Sequence, residues 1–184
     1  MDTQLIIRAG QGDHDAFAAV AAAYFDRCYG LAYRILGDRT RAEDATQQAL
    51  IGAWRDLPTL RDPDRFEAWL HRLVVHACYA ESRGERRWTA RVRVIPMDPL
   101  VAPDVARSVV DRDELAGAFR RLSPEQRAIV VLHHYLGYPL TEIAGTLGIP
   151  VGTARSRLHY AVRQLRTVLD ASDRAPMTSE ERPA

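Results

Sequence analysis

Residues Pro139–Arg166 read PLTEIAGTLGIPVGTARSRLHYAVRQLR, and this stretch decides the fold. Leu140, Ile143, Ala144 and Leu147 recur at helical spacing and mark a buried stripe. Gly148-Ile149-Pro150 interrupts it, and Val151-Gly152-Thr153-Ala154-Arg155-Ser156-Arg157 opens a second helix. A short glycine-containing turn between two amphipathic helices is the helix-turn-helix pattern, whose second helix enters the DNA major groove. On that helix Arg155, Ser156, His159, Tyr160 and Arg163 project from one side, while Leu158, Ala161, Val162 and Leu165 turn toward a core. Arg157 lies between the two faces and suits a phosphate. Thr153 and the backbone amides at the helix start suit phosphate oxygens at the positive end of the helix dipole. An arginine bidentate to guanine is worth about 1–3 kcal/mol of discrimination, so this face can specify sequence.

Working outward, the chain of 184 residues is long enough for one ordinary domain or two small ones. Apolar residues make up 47% and charged residues 27%, a globular composition. The net charge is only +1, which argues against indiscriminate coating of nucleic acid and for a local footprint. Charge is segregated: Asp38, Glu43, Asp44, Asp56, Asp62, Asp64 and Glu67 crowd one segment, and Arg155, Arg157, Arg163 and Arg166 another. All 25 basic residues are arginine, a bias that a GC-rich genome explains without any binding specialisation. Cys28 and Cys78 lack CxxC spacing, so they read as buried reduced thiols and not as a zinc site or disulfide framework. No N-terminal signal and no bilayer-spanning run is present. The expectation is a soluble, cytoplasmic protein with no membrane insertion.

Helical periodicity dominates the rest, without a convincing alternating strand. Phe17, Val20, Ala21, Tyr24, Cys28, Leu31, Ala32 and Ile35 form one stripe, closed by Gly37. Thr40 and Glu43 suggest a capping box for a second helix that Pro58 stops after Leu57. Asp64 and Glu67 introduce a third helix carrying Phe66, Trp69, Leu70, Leu73, Ala77 and Cys78. These make a domain over residues 1–88. Residues 89–108 hold Pro96, Pro99 and Pro103 without a helical stripe and read as a flexible linker. Fully extended, they reach roughly 65–70 Å, about two turns of duplex. A second domain over 109–170 begins with Leu115, Ala118, Phe119 and Leu122. Ser123-Pro124-Glu125-Gln126 then starts a helix with an N-cap serine and a box-closing glutamine, and Gly137 ends it. Residues 171–184 read as a disordered tail.

Two separated segments carry a resemblance. Arg41-Ala42-Glu43-Asp44-Ala45-Thr46-Gln47-Gln48-Ala49-Leu50-Ile51-Gly52-Ala53-Trp54-Arg55, followed by Phe66-Glu67-Ala68-Trp69-Leu70-His71-Arg72, resembles region 2 of extracytoplasmic-function (ECF) sigma factors. Leu122–Arg127 and Val151–Arg157 resemble region 4 of the same family. The resemblance implies an all-α fold of two small helical domains joined by the flexible linker. It also implies a subunit that binds core RNA polymerase and recognises promoter DNA at two elements. Asp44, Gln47 and Gln48 share one helix face opposite Ala42, Ala45, Ala49 and Ala53. The resemblance makes that face the polymerase contact. Arg61, Asp62, Phe66, Trp69 and His76 fall where the family holds a base flipped from the melted −10 element, and Arg83, Arg86 and Arg87 grip phosphates beside it. His76 stands where some relatives carry asparagine. An imidazole offers one donor and one acceptor, so both a base-reading and a purely structural role stand. Phe66 and Trp69 at this spacing are more often core than stacking platforms. Thr153, Arg155, Ser156, Arg157, His159, Tyr160 and Arg163 fall on the −35 duplex, and an anti-sigma factor is a further implied partner.

Two rival classes account for part of the pattern. A helix-turn-helix repressor or activator would use residues 123–166 on a palindromic operator. It would leave the Asp44 face and the Phe66–Trp69 helix without a task. An enzyme would need a catalytic or metal-binding pattern. His71, His76, His133 and His134 show no HExxH spacing, and neither a P-loop nor a GxSxG motif occurs. Neither catalysis, metal nor cofactor is expected.

Overall fold

A computed structural model describes residues 3–91 and 116–173, with side chains up to residue 84 and over 116–170. All described elements are helical: α1 (Thr3–Gly10), α2 (His14–Leu36), α3 (Arg39–Asp56), α4 (Phe66–Arg91), α5 (116–120), α6 (Pro124–Val130), α7 (Leu140–Leu147) and α8 (Val151–Asp173). Residues 92–115, which take in most of the expected linker and the start of the second domain, residues 174–184 of the expected tail, and the side chains of Arg86 and Arg87 lie outside the described residues. α4 itself continues to Arg91, so residues 89–91 are helical where the proline-rich composition suggested a linker.

The N-terminal half is built on α2, α3 and α4. Asp13 starts α2 by accepting the Ala16 N–H at 2.9 Å, and the Arg8 guanidinium holds its other oxygen at 2.6 Å. Gly37, in the left-handed region at φ 73°, ends α2 by donating its N–H to the Tyr33 carbonyl. The cap of α3 differs from the sequence expectation. Asp38 accepts the Arg41 N–H at 2.9 Å, and Thr40 lies inside the helix. A carboxylate two residues upstream takes the helix start before the threonine can. Ala42, Ala45, Ala49 and Ala53 are all buried and form a small-residue seam that brings α3 close to α2 and α4. From α2, Val20, Tyr24, Cys28, Leu31 and Ile35 meet Phe66, Leu70, Val74, Val75 and Cys78 of α4 in the core. Burial pushes both thiols up to about 12, so they stay protonated and inert. The α1 helix, which sequence periodicity did not single out, seats Ile6 and Ala9 on this bundle.

The C-terminal half forms around Ile129, Leu132, Ile143, Ala144, Ala154 and Ala161. Ser123 makes the expected capping box: its Oγ accepts the Gln126 N–H at 3.2 Å, and Gln126 Oε1 accepts the Ser123 N–H at 2.9 Å. Beyond Val130 the helix widens into a π turn, Val131–Tyr135, closed by the Leu136 N–H on the Val131 carbonyl at 3.0 Å. Gly137 leaves it at φ 74°. The two halves share one hydrophobic core: α6 packs on α2 and α4, and α7 packs on α4.

Candidate nucleic-acid interface

The turn into α8 is Gly148-Ile149-Pro150, with Gly148 left-handed at φ 64°. Its N–H and that of Ile149 return to carbonyls of α7, which fixes the angle between the two helices. Ala154 and Ala161 anchor α8 to the core, and Leu158 and Leu165 pack beside them. That leaves Arg155, Ser156, His159, Tyr160 and Arg163 exposed on the opposite side. Tyr160 is 57% exposed, large for an aromatic ring, and the Arg163 guanidinium lies 5.8 Å from its centroid. Ser156 Oγ donates to the Thr153 carbonyl at 3.0 Å, which orients the hydroxyl along the helix. The first backbone bond of α8 is Ala154 N–H to Pro150 C=O at 3.0 Å, so the amides of Val151, Gly152 and Thr153 precede the ladder at the dipole's positive end. Arg157 departs from the others. It is half-buried and close enough to Tyr79 on α4 to lower that phenol's pKa, against a larger rise from burial.

The second feature lies at the start of α4. Asp62 accepts the Asp64 N–H at 3.1 Å and caps a 3₁₀ turn, Pro63–Arg65, that leads into the helix. Arg61, Asp62, Arg65, Trp69 and Arg72 line one side of a cavity of about 430 Å³. Phe66 does not join them. It is 2% exposed and edge-on to Tyr24 at 5.2 Å, packed within the bundle as the core reading of its spacing expects. Trp69 is half-buried, reaching both Phe66 and the cavity. Arg83 is exposed further along α4. Arg65 and Arg72 were not singled out from sequence. The signal existed, since 65, 69, 72 and 76 follow helical spacing along one face. The opposite wall of the cavity comes from Glu142, Gly145 and Thr146 of α7. His76 Nε2 donates to the Thr146 carbonyl at 3.0 Å; a carbonyl only accepts, so the proton is on Nε2.

The third feature is the outer face of α3. Asp44, Gln47 and Gln48 are exposed opposite the alanine seam, as their spacing implied. Ile51, 61% exposed, continues that face by one turn and places an apolar side chain beside the polar ones. Among the described residues no cluster of His, Cys, Asp or Glu is arranged to hold a metal, and no helix is long and apolar enough to cross a membrane.

These features fall into two known modules. Residues 20–88 match sigma-70 region 2, and residues 112–165 match sigma-70 region 4. The chain is 34% identical over 161 residues to the ECF RNA polymerase sigma factor SigL of Mycobacterium tuberculosis, covering 84% of this chain and 91% of that protein. It is 38% identical over 151 residues to SigE of Mycolicibacterium smegmatis, covering 78% of this chain but 58% of that longer protein. Among solved structures, CnrH in complex with the cytosolic domain of CnrY is similar at TM-score 0.61 and 27% identity, over 92% of this chain and 97% of that one. The chain belongs to the ECF family of RNA polymerase sigma factors.

Proposed function

We propose that this sigma factor docks on core RNA polymerase through Asp44, Gln47 and Gln48, reads −35 duplex DNA with α8, and holds the melted −10 strand at the Arg61–Trp69 cavity. The chain carries no chemistry of its own and acts in the cytoplasm by positioning polymerase. The observation that supports this best is the division of exposed groups: an arginine–tyrosine face on α8, an arginine–tryptophan cavity on α4, and an acid–amide face on α3. A single duplex reader needs only the first. Arg155, His159, Tyr160 and Arg163 supply donors and a stacking surface for base edges and phosphates, and the amides at 151–153 suit a phosphate oxygen. Arg61, Arg65 and Arg72 surround Trp69, an arrangement that suits a single strand through charge and stacking. That the similar CnrH was solved in complex with the cytosolic domain of CnrY supports a further protein partner for this chain, and we assign that place to an anti-sigma factor.

Run-off transcription with purified core polymerase tests the reading. The chain should confer initiation on templates that core alone ignores. An operator-binding repressor would retain duplex binding and confer none, and that result would refute the proposal.

A further inference from the structure

The cavity assigned to the melted strand is not open to solvent on both sides. Its second wall is α7, the first helix of the duplex-reading half: Glu142, Gly145 and Thr146 face Arg61, Trp69 and Arg72 across it. Four polar contacts and one cation–π contact fasten the halves in this position. His76 Nε2 donates to the Thr146 carbonyl at 3.0 Å, and Arg65 lies 4.0 Å from Glu142. The Tyr138 hydroxyl meets Nδ1 of buried His71 at 2.8 Å. Arg127 donates to the Ile35 carbonyl at 2.9 Å, and Arg34 sits 4.1 Å over the Tyr135 ring. The recognition face of α8 points elsewhere and stays exposed.

We propose that region 4 closes over the strand-binding cavity of region 2 and inhibits it in cis, so that the chain away from polymerase can meet duplex DNA but not a melted strand. The proposal rests on the assignment of that cavity to the −10 strand. In this reading His76 is first a fastener of the closed form. It becomes free to face a base only when α7 withdraws.

The seam between the halves is built to part. Tyr79 on α4 has its hydroxyl buried without a hydrogen-bond partner among the described residues, under the influence of Glu125 and Arg157 from region 4. A buried donor left unmade favours separation, where water can reach it. A second cavity of about 490 Å³ lies between Tyr33 and Arg34 of α2 and Phe119, Val131 and Tyr135 of region 4.

The test uses the full chain in three variants. Thr146→Arg places a cation at a buried contact; Tyr138→Phe with Glu142→Ala removes two fasteners without adding bulk; Tyr79→Phe removes the unmade donor. Small-angle X-ray scattering reports closure, and fluorescence anisotropy reports binding of a mixed-sequence single-stranded 12-mer and a mixed-sequence 20-bp duplex. Wild type should be compact, near the radius of about 16 Å expected for a 184-residue globule. The first two variants should expand by several ångströms and bind the single strand about tenfold more tightly, which corresponds to a competent form about 10% populated in wild type. Duplex affinity should change less than about twofold. Tyr79→Phe should bind the single strand more weakly than wild type. A wild type as expanded as the variants overturns the closure, and expansion without a gain in single-strand affinity overturns the masking. Failure of the functional reading itself shows separately, as absence of core-dependent run-off transcription by wild type.

Discussion

Two glycines three residues apart in the helix-turn-helix should respond to the same substitution with opposite sign. Gly148 ends α7 at φ 64°, and a Cβ built there meets no atom within 4 Å. Alanine at 148 therefore clashes with nothing; its cost is the left-handed backbone itself, about 1–2 kcal/mol, reduced by the lower entropy of the unfolded chain. A net loss of about 1 kcal/mol is expected. Gly145 lies inside α7, and its Cβ also has open space. There alanine gains helix propensity, about 0.8–1 kcal/mol. For a chain of this size each kcal/mol moves Tm by about 2–4 °C, so the two variants should melt about 4–8 °C apart. Far-UV circular dichroism is the appropriate probe, because it follows the helices themselves, whereas of the three tryptophans (54, 69 and 88) Trp69 shares a cavity with Gly145 and would mix a local change with unfolding. Asparagine tolerates the left-handed region, so Gly148→Asn should recover most of the loss. A Gly148→Ala protein that melts at or above wild type refutes the reasoning, as does an asparagine variant as unstable as the alanine one.

Further outcomes follow from other sites. Asp44→Arg should leave the helical spectrum unchanged and weaken core polymerase binding by at least about tenfold, since it reverses the charge at the centre of the proposed contact; pull-down with core enzyme measures it. Arg155→Ala should cost about 1–3 kcal/mol at one base position in a footprinting series, whereas uniform weakening across sequences would reassign Arg155 to a phosphate. Burial holds the His71 imidazole below its ordinary value of 6.5, an effect that Arg27 reinforces and Glu67 opposes. The folded protein thus binds this proton less tightly than the unfolded chain, so stability is complete above pH 6.5 and is lost as pH falls toward the depressed value. Thermal melts from pH 7.5 downward should show that loss in wild type and a smaller one in His71→Gln. Phe66→Ala should destabilise by about 3–5 kcal/mol, the range for a buried aromatic, as read by urea unfolding.

What was legible in the sequence was local. The stripe Leu140, Ile143, Ala144, Leu147 and the Gly148 break placed both helices of the reading motif, because period and breaker lie within one short window. Ser123 and Gln126 announced their cap for the same reason. Asp38 and Thr40 are both helix-capping types, and the choice between them depends on where α2 releases the chain at Gly37. The π turn left no mark, since one extra residue per turn barely alters the spacing of Ile129, Leu132 and Leu136. The α1 helix offers only Ile6 and Ala9 as inward residues, too few for a periodic signal. Arg65 and Arg72 lay on the Trp69 face at helical spacing, yet that spacing alone did not show that a cavity lay beside them. The closure of the two halves was beyond reach for a different reason. His71 and Tyr138 are 67 residues apart in sequence, and nothing near either one indicates the other.

The hydrogen bond from Arg127 to Ile35 reaches further than its length suggests. Helix ends leave their last carbonyls without partners and gather negative potential, and here a guanidinium from the other half of the molecule answers that need at the end of α2. Gly37 and Asp38 follow at once, and they launch the helix that presents Asp44. Withdrawal of Arg127 would therefore slacken the joint beneath the Asp44 face at the moment the Arg61–Trp69 cavity is uncovered. On the proposed assignments of those two surfaces, a single arginine ties grip on the enzyme to access to the strand, though neither surface touches the other.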